Sequence, residues 1–148
     1  MNPPAVKAIL SPEFVEDTVA RSKTREVSMV LTKDEGRALA EEWIASWNSR
    51  DLDRILSHYT DDLEFSSIYI LEFAGEPTGT LKGKERVGGY WSSALERIPH
   101  LHFELVAVYT GVDTIAIHYR PMSARDRLEL HFLTDQGRIY KAIGHYQS

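Results

Sequence analysis

WIASWNSRDLD at residues 43–53, followed closely by HYTDDLEF at residues 58–65, decides the fold of this chain. The first stretch carries two tryptophans four residues apart, which makes one face of a helix strongly apolar. Asp51 then supplies a side chain that can cap a second, short helix. In the second stretch apolar and polar residues begin to alternate, which is the period of a strand. The predicted order is therefore helix, short helix and strand.

Upstream of these stretches, TKDE at residues 32–35 has the spacing of a capping box, in which a threonine hydroxyl and a glutamate carboxylate each accept from a free backbone N–H. The main helix is predicted to begin there. Residues 1–31 are predicted to form an N-terminal extension, with a short helix over residues 12–20 that starts at a serine cap followed by proline. Residues 32–148 are predicted to form a single α+β domain.

Downstream, the first strand is predicted to extend from Leu63 through Ile70, with Tyr69 on the same side as Phe65 and Ser67. A loop follows, and then a helix over residues 84–98, in which the adjacent Gly88 and Gly89 indicate close packing against a neighbouring element. Four further alternating or apolar runs predict strands, at residues 101–110, 113–120, 127–134 and 138–146. This order fits an α+β fold with a curved, mostly antiparallel sheet.

The composition excludes several classes of function. The chain has 148 residues, a net charge of −5 with acidic and basic residues interspersed, and no cysteine. Its length predicts one domain, and the lack of a basic stripe argues against nucleic acid as a partner. Without cysteine there are no disulfides, thiolate nucleophiles or cysteine zinc sites. No long apolar run and no secretory signal pattern are present, so no membrane partner and a cytoplasmic location are predicted.

The two opening stretches, together with GTLKGKE at residues 79–85 and GRI at residues 137–139, resemble the nuclear transport factor 2-like superfamily. Within it the chain is most similar to the SnoaL-like group of polyketide cyclases and ketosteroid isomerase relatives. The resemblance implies a cone-shaped sheet wrapped around three helices and enclosing one small-molecule pocket. It also implies that a homodimer forms through the outer face of the sheet. No cofactor is predicted.

The same resemblance implies that the catalytic groups of ketosteroid isomerases are replaced in this chain. The position of the isomerase's general base is occupied by Ser67, that of its first-helix tyrosine by Trp43, and that of its oxyanion-stabilising aspartate by Leu130. Serine cannot remove a proton from carbon unaided. The arginine and aspartate pattern of limonene epoxide hydrolases is also unmatched, because Tyr119 and Gly144 occupy the comparable inward positions.

Strand parity predicts which residues face the pocket, because only every second side chain of a strand points to a given side. The lining predicted in this way contains no carboxylate: Phe65, Ser67, Tyr69, Ile117, Tyr119, Leu130, Phe132 and Tyr146. Trp43, Tyr59 and Trp91, from the predicted helices, close the pocket. Such a lining suits a flat, hydrophobic molecule that bears a carbonyl or phenol groups. The competing interpretation is a core in which the aromatic rings simply fill space.

Three histidines, His118, His131 and His145, are predicted to lie on the outer face of successive strands, where a metal site is conceivable. The predicted hairpin argues against metal binding, because it places His118 opposite Glu129 and leaves His131 a diagonal neighbour roughly 7 to 8 Å away. The preferred role for these side chains is a cross-strand pair or a dimer interface. No metal site is therefore predicted.

Three functions remain open. The resemblance implies an enzyme that acts on a small hydrophobic substrate by proton transfer, as a cyclase, isomerase or dehydratase. In it, Tyr69, Tyr119 or Tyr146 would polarise a carbonyl and His102 would act as the base. The missing inward carboxylates favour instead a non-catalytic protein that binds or carries an apolar ligand. The third function is an interaction module that uses the fold as a scaffold for dimerisation.

Overall fold

The computed structural model describes residues 30–122 and 124–148. In that part of the chain the elements are α1 (Lys33–Ser49), α2 (Leu52–Leu56), β1 (Tyr59–Ser66), α3 (Ile68–Phe73), β2 (Thr80–Lys82), α4 (Lys84–Arg97), β3 (Phe103–Thr110), β4 (Thr114–Pro121), β5 (Arg127–Leu133) and β6 (Ile139–Tyr146). None of these helices is both long and apolar enough to cross a membrane. The predicted extension over residues 1–31, with its helix over residues 12–20, lies outside the described residues except for its last two.

Within the described residues, one sheet of six strands forms in the order β2-β1-β6-β5-β4-β3. β1 and β6 pair in parallel and the other neighbours pair antiparallel. Register shifts interrupt the pairing of β1 with β6, of β3 with β4 and of β5 with β6. Such irregularities bend and twist strands, which accounts for the curvature of the sheet. The predicted α+β class with a curved, mostly antiparallel sheet is confirmed.

The predicted capping box starts α1. The backbone N–H of Thr32 donates to Glu35 Oε1 at 2.9 Å, and the backbone N–H of Glu35 donates to Thr32 Oγ1 at 3.1 Å. At its other end the helix stops at Arg50, whose backbone adopts the left-handed conformation with a φ of 61°. The Arg50 guanidinium donates to the carbonyls of Leu95 and Ile98, so the end of α1 is fastened to the end of α4.

The first strand ends earlier than predicted, and Tyr69 lies on a helix instead. Ser67 has an extended backbone and its hydroxyl accepts from the Tyr69 backbone N–H at 3.2 Å, so it caps the unpredicted short helix α3. A serine hydroxyl that accepts from a backbone N–H at this position favours a helix start over continued strand pairing. The consequence is that Tyr69 and Phe73, one helical turn apart, lie close to each other, with ring centroids separated by 6.3 Å.

The core lies between the inner face of the sheet and the helices α1 and α4. Trp43 on α1 is its centre, being 2% exposed. Its ring centroid lies 5.1 Å from that of His131 and 5.2 Å from that of Tyr119, both edge-on. Its indole N–H donates to the Tyr59 hydroxyl at 2.8 Å. Aromatic edge contacts of this kind add stability beyond the area they bury.

The two adjacent glycines of α4 give a test of packing. A Cβ on Gly88 would lie 3.0 Å from Leu56 Cδ1 on α2, whereas a Cβ on Gly89 would meet no described atom within 4 Å. Alanine stabilises a helix interior by about 1 kcal/mol relative to glycine. We therefore expect Gly89→Ala to raise the free energy of unfolding by about that amount, and Gly88→Ala to raise it less or to lower it. Urea unfolding measures both, and equal gains for the two variants would contradict the packing role of Gly88.

Candidate functional site

A cavity of about 230 Å³ lies between the inner face of the sheet and the helices α1, α3 and α4. Seven of the residues predicted to face a pocket line it: Trp43, Phe65, Ser67, Tyr69, Trp91, Tyr119 and Tyr146. Its walls are mostly aromatic, and its polar groups come from Ser67, from tyrosines and from three charged residues. The interior is therefore not filled solid.

Two of the predicted lining residues are buried behind the wall of the cavity rather than in it. Tyr59 and Ile117 are both fully buried, and neither lines the cavity. The Tyr59 hydroxyl is occupied by the Trp43 indole N–H. These two side chains fill the core, so their predicted place in the pocket is wrong.

The prediction of which side of β5 faces the cavity is wrong, and this error changes the chemistry of the site most. Leu130 and Phe132 do not line the cavity, whereas Glu129 does. The pairing of β4 with β5 sets Glu129 opposite Ile117, one residue away from the predicted pairing of Glu129 with His118. Directly opposed residues of an antiparallel pair point to the same side, and a slip of one residue turns every side chain over. The inward residues of β5 are therefore Arg127, Glu129, His131 and Leu133.

His102, the predicted catalytic imidazole, is exposed and does not line the cavity. The reason lies at the start of β3, where the Asn48 side chain makes two hydrogen bonds to the backbone of Phe103, at 2.7 and 2.9 Å. This clamp turns the Phe103 ring inward. Alternation then turns the preceding side chain, that of His102, toward solvent.

Glu129 forms a buried pair with His131, two residues further along the strand. Their exposed fractions are 5% and 0%, and Glu129 Oε2 lies 2.9 Å from His131 Nε2. Among the described residues His131 Nδ1 has no hydrogen-bond partner. A proton on Nδ1 would leave a buried N–H without an acceptor, whereas an unprotonated Nδ1 leaves only a lone pair unsatisfied. The favoured tautomer therefore carries its proton on Nε2, and this N–H donates a hydrogen bond to Glu129. The imidazole therefore fixes one oxygen of the carboxylate.

Two phenols share the cavity with Glu129. Burial raises the pKa of Tyr119 well above its ordinary value, and the negative charge of Glu129 adds to this effect. Burial likewise raises the pKa of Tyr146 to about 12, although its hydrogen bond to Ser67 at 2.6 Å acts in the opposite direction. Both phenols are therefore protonated near neutral pH and can donate hydrogen bonds into the cavity.

Gly144 explains how the Tyr146 ring reaches the cavity. A Cβ on Gly144 would lie 2.8 Å from Tyr146 Oη and 3.3 Å from Tyr146 Cζ. No real side chain fits so close to a ring, so only glycine allows the phenol to fold back over its own strand. The ring then lies with its centroid 4.7 Å from that of Tyr69 on α3.

The outer face of the sheet carries a separate polar cluster. His118 Nε2 lies 2.7 Å from Asp126 Oδ2, and Arg120 Nε donates to Asp126 Oδ1 at 2.6 Å. These two contacts, with Arg120 first, lower the pKa of the Asp126 carboxyl to about 2. The strand partner of His118 is Leu128 and not Glu129 as predicted. No group of three or more histidine, aspartate or glutamate side chains suited to a metal ion occurs among the residues the structure describes.

The sequence did hold a signal for Glu129. Beyond the register shift at Phe132 and Leu133, odd-numbered residues of β5 pair with even-numbered residues of β6, as Glu129 does with Gly144. Since Gly144 was predicted to face inward, its pairing partner Glu129 faces inward as well. The predicted hairpin of β4 with β5 gave the opposite side because its register was off by one residue.

Comparison with known proteins gives a family. The model of the SnoaL-like domain matches residues 40–143. A SnoaL-like protein of unknown function from Burkholderia thailandensis has 48% sequence identity and a TM-score of 0.77, over 80% of this chain and 99% of its own. A search of curated proteins finds no significant match.

Two more distant structures share the fold. A provisionally named isomerase of the SnoaL-like family from Agrobacterium tumefaciens has 15% identity and a TM-score of 0.61, over 76% of this chain and 97% of its own. The epoxide hydrolase/cyclase-like enzyme SalBIII, which has a role in pyran ring formation in the polyether salinomycin, has 14% identity and a TM-score of 0.63, over 78% of this chain and 92% of its own. With the family model spanning most of the described residues, the chain belongs to the SnoaL-like family of the nuclear transport factor 2-like superfamily.

Proposed function

We propose that this protein is an enzyme that moves a proton on a small hydrophobic or aromatic substrate, as an isomerase or cyclase, with Glu129 as the general base. The observation that carries the proposal is a carboxylate, 5% exposed, in the wall of an aromatic cavity. Buried acids are rare unless they are paired or functional. His131 pairs with only one of the two carboxylate oxygens.

The second oxygen of Glu129 supports the chemistry. Among the described residues no hydrogen bond reaches Oε1, and the residue lines the cavity. A substrate carbon that lies next to a carbonyl could place its hydrogen against this oxygen, and proton transfer to a positioned carboxylate typically accelerates such a step about 10² to 10⁴-fold. Glu129 would take the proton, and the electron pair would move toward the carbonyl oxygen.

Tyr119 and Tyr146 supply the complementary group. A developing enolate oxygen needs hydrogen-bond donors in a site from which water is excluded. Both phenols line the cavity and keep their protons near neutral pH, because burial and the nearby Glu129 raise their pKa values. Return of the proton to a second carbon would complete an isomerisation. Attack of the enolate carbon on a second carbonyl of the substrate, whose oxygen would take up the proton from Glu129, would complete a cyclisation.

The names of two structural relatives support this class of reaction. One relative is named as an isomerase and another as cyclase-like. The alternative of a non-catalytic carrier was favoured by the absence of inward carboxylates, and Glu129 removes that argument. The predicted homodimer through the outer face of the sheet and the predicted cytoplasmic location stay predictions.

Hydrogen exchange tests the proposal without knowledge of the natural substrate. A panel of aryl ketones and cyclic ketones is incubated with the protein in D₂O, and loss of the hydrogens next to the carbonyl is followed by NMR. We expect at least one compound to exchange well above the rate in buffer. The proposal is contradicted when compounds that demonstrably bind the cavity exchange no faster than in buffer.

A further inference from the structure

The cavity that contains Glu129 is also lined by two arginines, Arg97 at the end of α4 and Arg127 at the start of β5. Arg97 is exposed at the rim of the cavity, and Arg127 is half-buried. Arg127 precedes Glu129 by two residues and therefore points to the same side of the sheet. One cavity thus holds a carboxylate and two guanidinium groups.

Aromatic rings, and not acids, hold these two guanidinium groups. The Arg97 guanidinium lies 4.1 Å from the centroid of the Phe73 ring. That of Arg127 lies 5.1 Å from the centroid of Tyr146 and 5.9 Å from that of Tyr69. Because Tyr69 and Phe73 are neighbours on α3, the two cations flank one short row of rings at the cavity.

Several other arginines of the same domain are paired with carboxylates. Arg54 pairs with Glu42 at 2.9 Å, Arg86 with Glu76 at 3.1 Å and Arg120 with Asp126 at 2.6 Å. In residues 30–122 and 124–148, no carboxylate lies within 4.0 Å of Arg97 or Arg127 to form such a pair. The two guanidinium groups that line the cavity therefore have no acid partner among the described residues, in a chain with a net charge of −5.

The positive charges of Arg97 and Arg127 act on the same tyrosine of the cavity. Tyr90, which also lines the cavity, has a pKa raised by burial, and the charges of Arg97 and Arg127 both act in the opposite direction. A purely apolar ligand would displace water from these guanidinium groups without giving them a partner, which is unfavourable. A ligand with an anionic end would pair with them, and guanidinium is well matched to a planar carboxylate.

We propose that the ligand of this cavity is a small aromatic or alicyclic keto acid, with its anionic group against Arg97 and Arg127 and its carbonyl end toward Glu129. The part of this assignment that concerns Glu129 rests on the proposed function. The part that concerns the anion rests on the two arginines alone. The like charges of ligand and Glu129 are then held at opposite ends of the molecule.

Two matched probes test the anion site. 4-Acetylbenzoate carries a carboxylate and a methyl ketone at opposite ends of one ring, and 4-acetylbenzamide is its neutral counterpart. Binding is followed by tryptophan fluorescence and by calorimetry. We expect the carboxylate to bind about tenfold or more tightly than the amide, since hydrogen bonds to charged groups are the stronger ones, and the preference to weaken with added salt.

Variants locate the site. Arg127→Gln and Arg97→Gln should each reduce the preference for the carboxylate, and the double variant should abolish it. Arg120→Gln, on the outer face and paired with Asp126, should leave it unchanged. Equal binding of the two probes, a preference that survives the double variant, or no binding of either probe at millimolar concentration overturns the proposal.

The Glu129→Gln variant separates this proposal from the proposed function. It should keep the preference for the carboxylate while losing hydrogen exchange at the methyl ketone. A preference for the carboxylate without any exchange in the unmodified protein supports the anion site and contradicts the catalytic role of Glu129. Hydrogen exchange in neutral ketones, without a preference for the carboxylate probe, supports the catalytic role of Glu129 and contradicts the anion site.

Discussion

Glu129→Gln should lower the rate of proton transfer on an exchanging ketone by about a hundredfold to ten-thousandfold, the usual contribution of a general base. The amide has nearly the shape of the carboxylate but cannot take up the proton. Its oxygen can still accept from His131 Nε2, so the fold should be retained. The measurement is the exchange rate by NMR, together with the melting temperature of the variant.

Asp126→Asn is the matched control for this experiment. It makes the same chemical change one residue before the same strand, but Asp126 pairs with Arg120 and His118 on the outer face and does not line the cavity. We expect exchange to continue at the unmodified rate. A Glu129→Gln variant that exchanges as fast as Asp126→Asn would exclude Glu129 as the base.

Trp43→Ala should lower the free energy of unfolding by about 3 to 5 kcal/mol, the usual cost of removing a large buried aromatic side chain. Trp43 is 2% exposed and its ring lies against Phe103, Tyr119 and His131. The substitution also leaves the buried Tyr59 hydroxyl without its donor. Urea unfolding measures the change.

Two further variants separate the contributions to this loss. Trp43→Phe keeps an aromatic ring and loses the hydrogen bond to Tyr59, so its cost should be clearly smaller. Val112→Ala, at a side chain that is 67% exposed, should change the free energy of unfolding by less than about 0.5 kcal/mol. A Trp43→Ala variant as stable as Val112→Ala would show that Trp43 is not at the centre of the core.

Local patterns predicted the fold because they agree with the tertiary structure over most of the chain. The capping box at Thr32 and Glu35 forms as predicted and starts α1. The spacing of the tryptophans places Trp43 and Trp47 in the core. On β4 the buried residues alternate as predicted, with Ile117 and Tyr119 inward.

The site could not be predicted equally well, because β5 contradicts its own local pattern. Leu128, Leu130 and Phe132 are the more apolar set, so the hydrophobic period favours burying them. Pairing with β4 and β6 buries Glu129 and His131 instead. Sequences violate their own patterning mainly at functional or strained sites, and this conflict is itself an indication that Glu129 has a role in chemistry.

Tyr69 shows a second limit of prediction from the sequence. The alternation through Phe65, Ser67 and Tyr69 is that of a strand, but the Ser67 hydroxyl caps a helix at the strand end. A cap and a strand residue have the same extended backbone, so the sequence around Ser67 fits both. Tyr69 lines the cavity all the same, from α3 rather than from β1.

A crystal structure of the protein with a bound ketone that exchanges tests the central claim most directly. The account predicts a hydrogen-bearing carbon next to the carbonyl at about 3 to 3.5 Å from a Glu129 carboxylate oxygen, with the carbonyl oxygen against Tyr119 or Tyr146. A ligand bound away from Glu129, or a strand with Leu130 facing the cavity in its place, would contradict it.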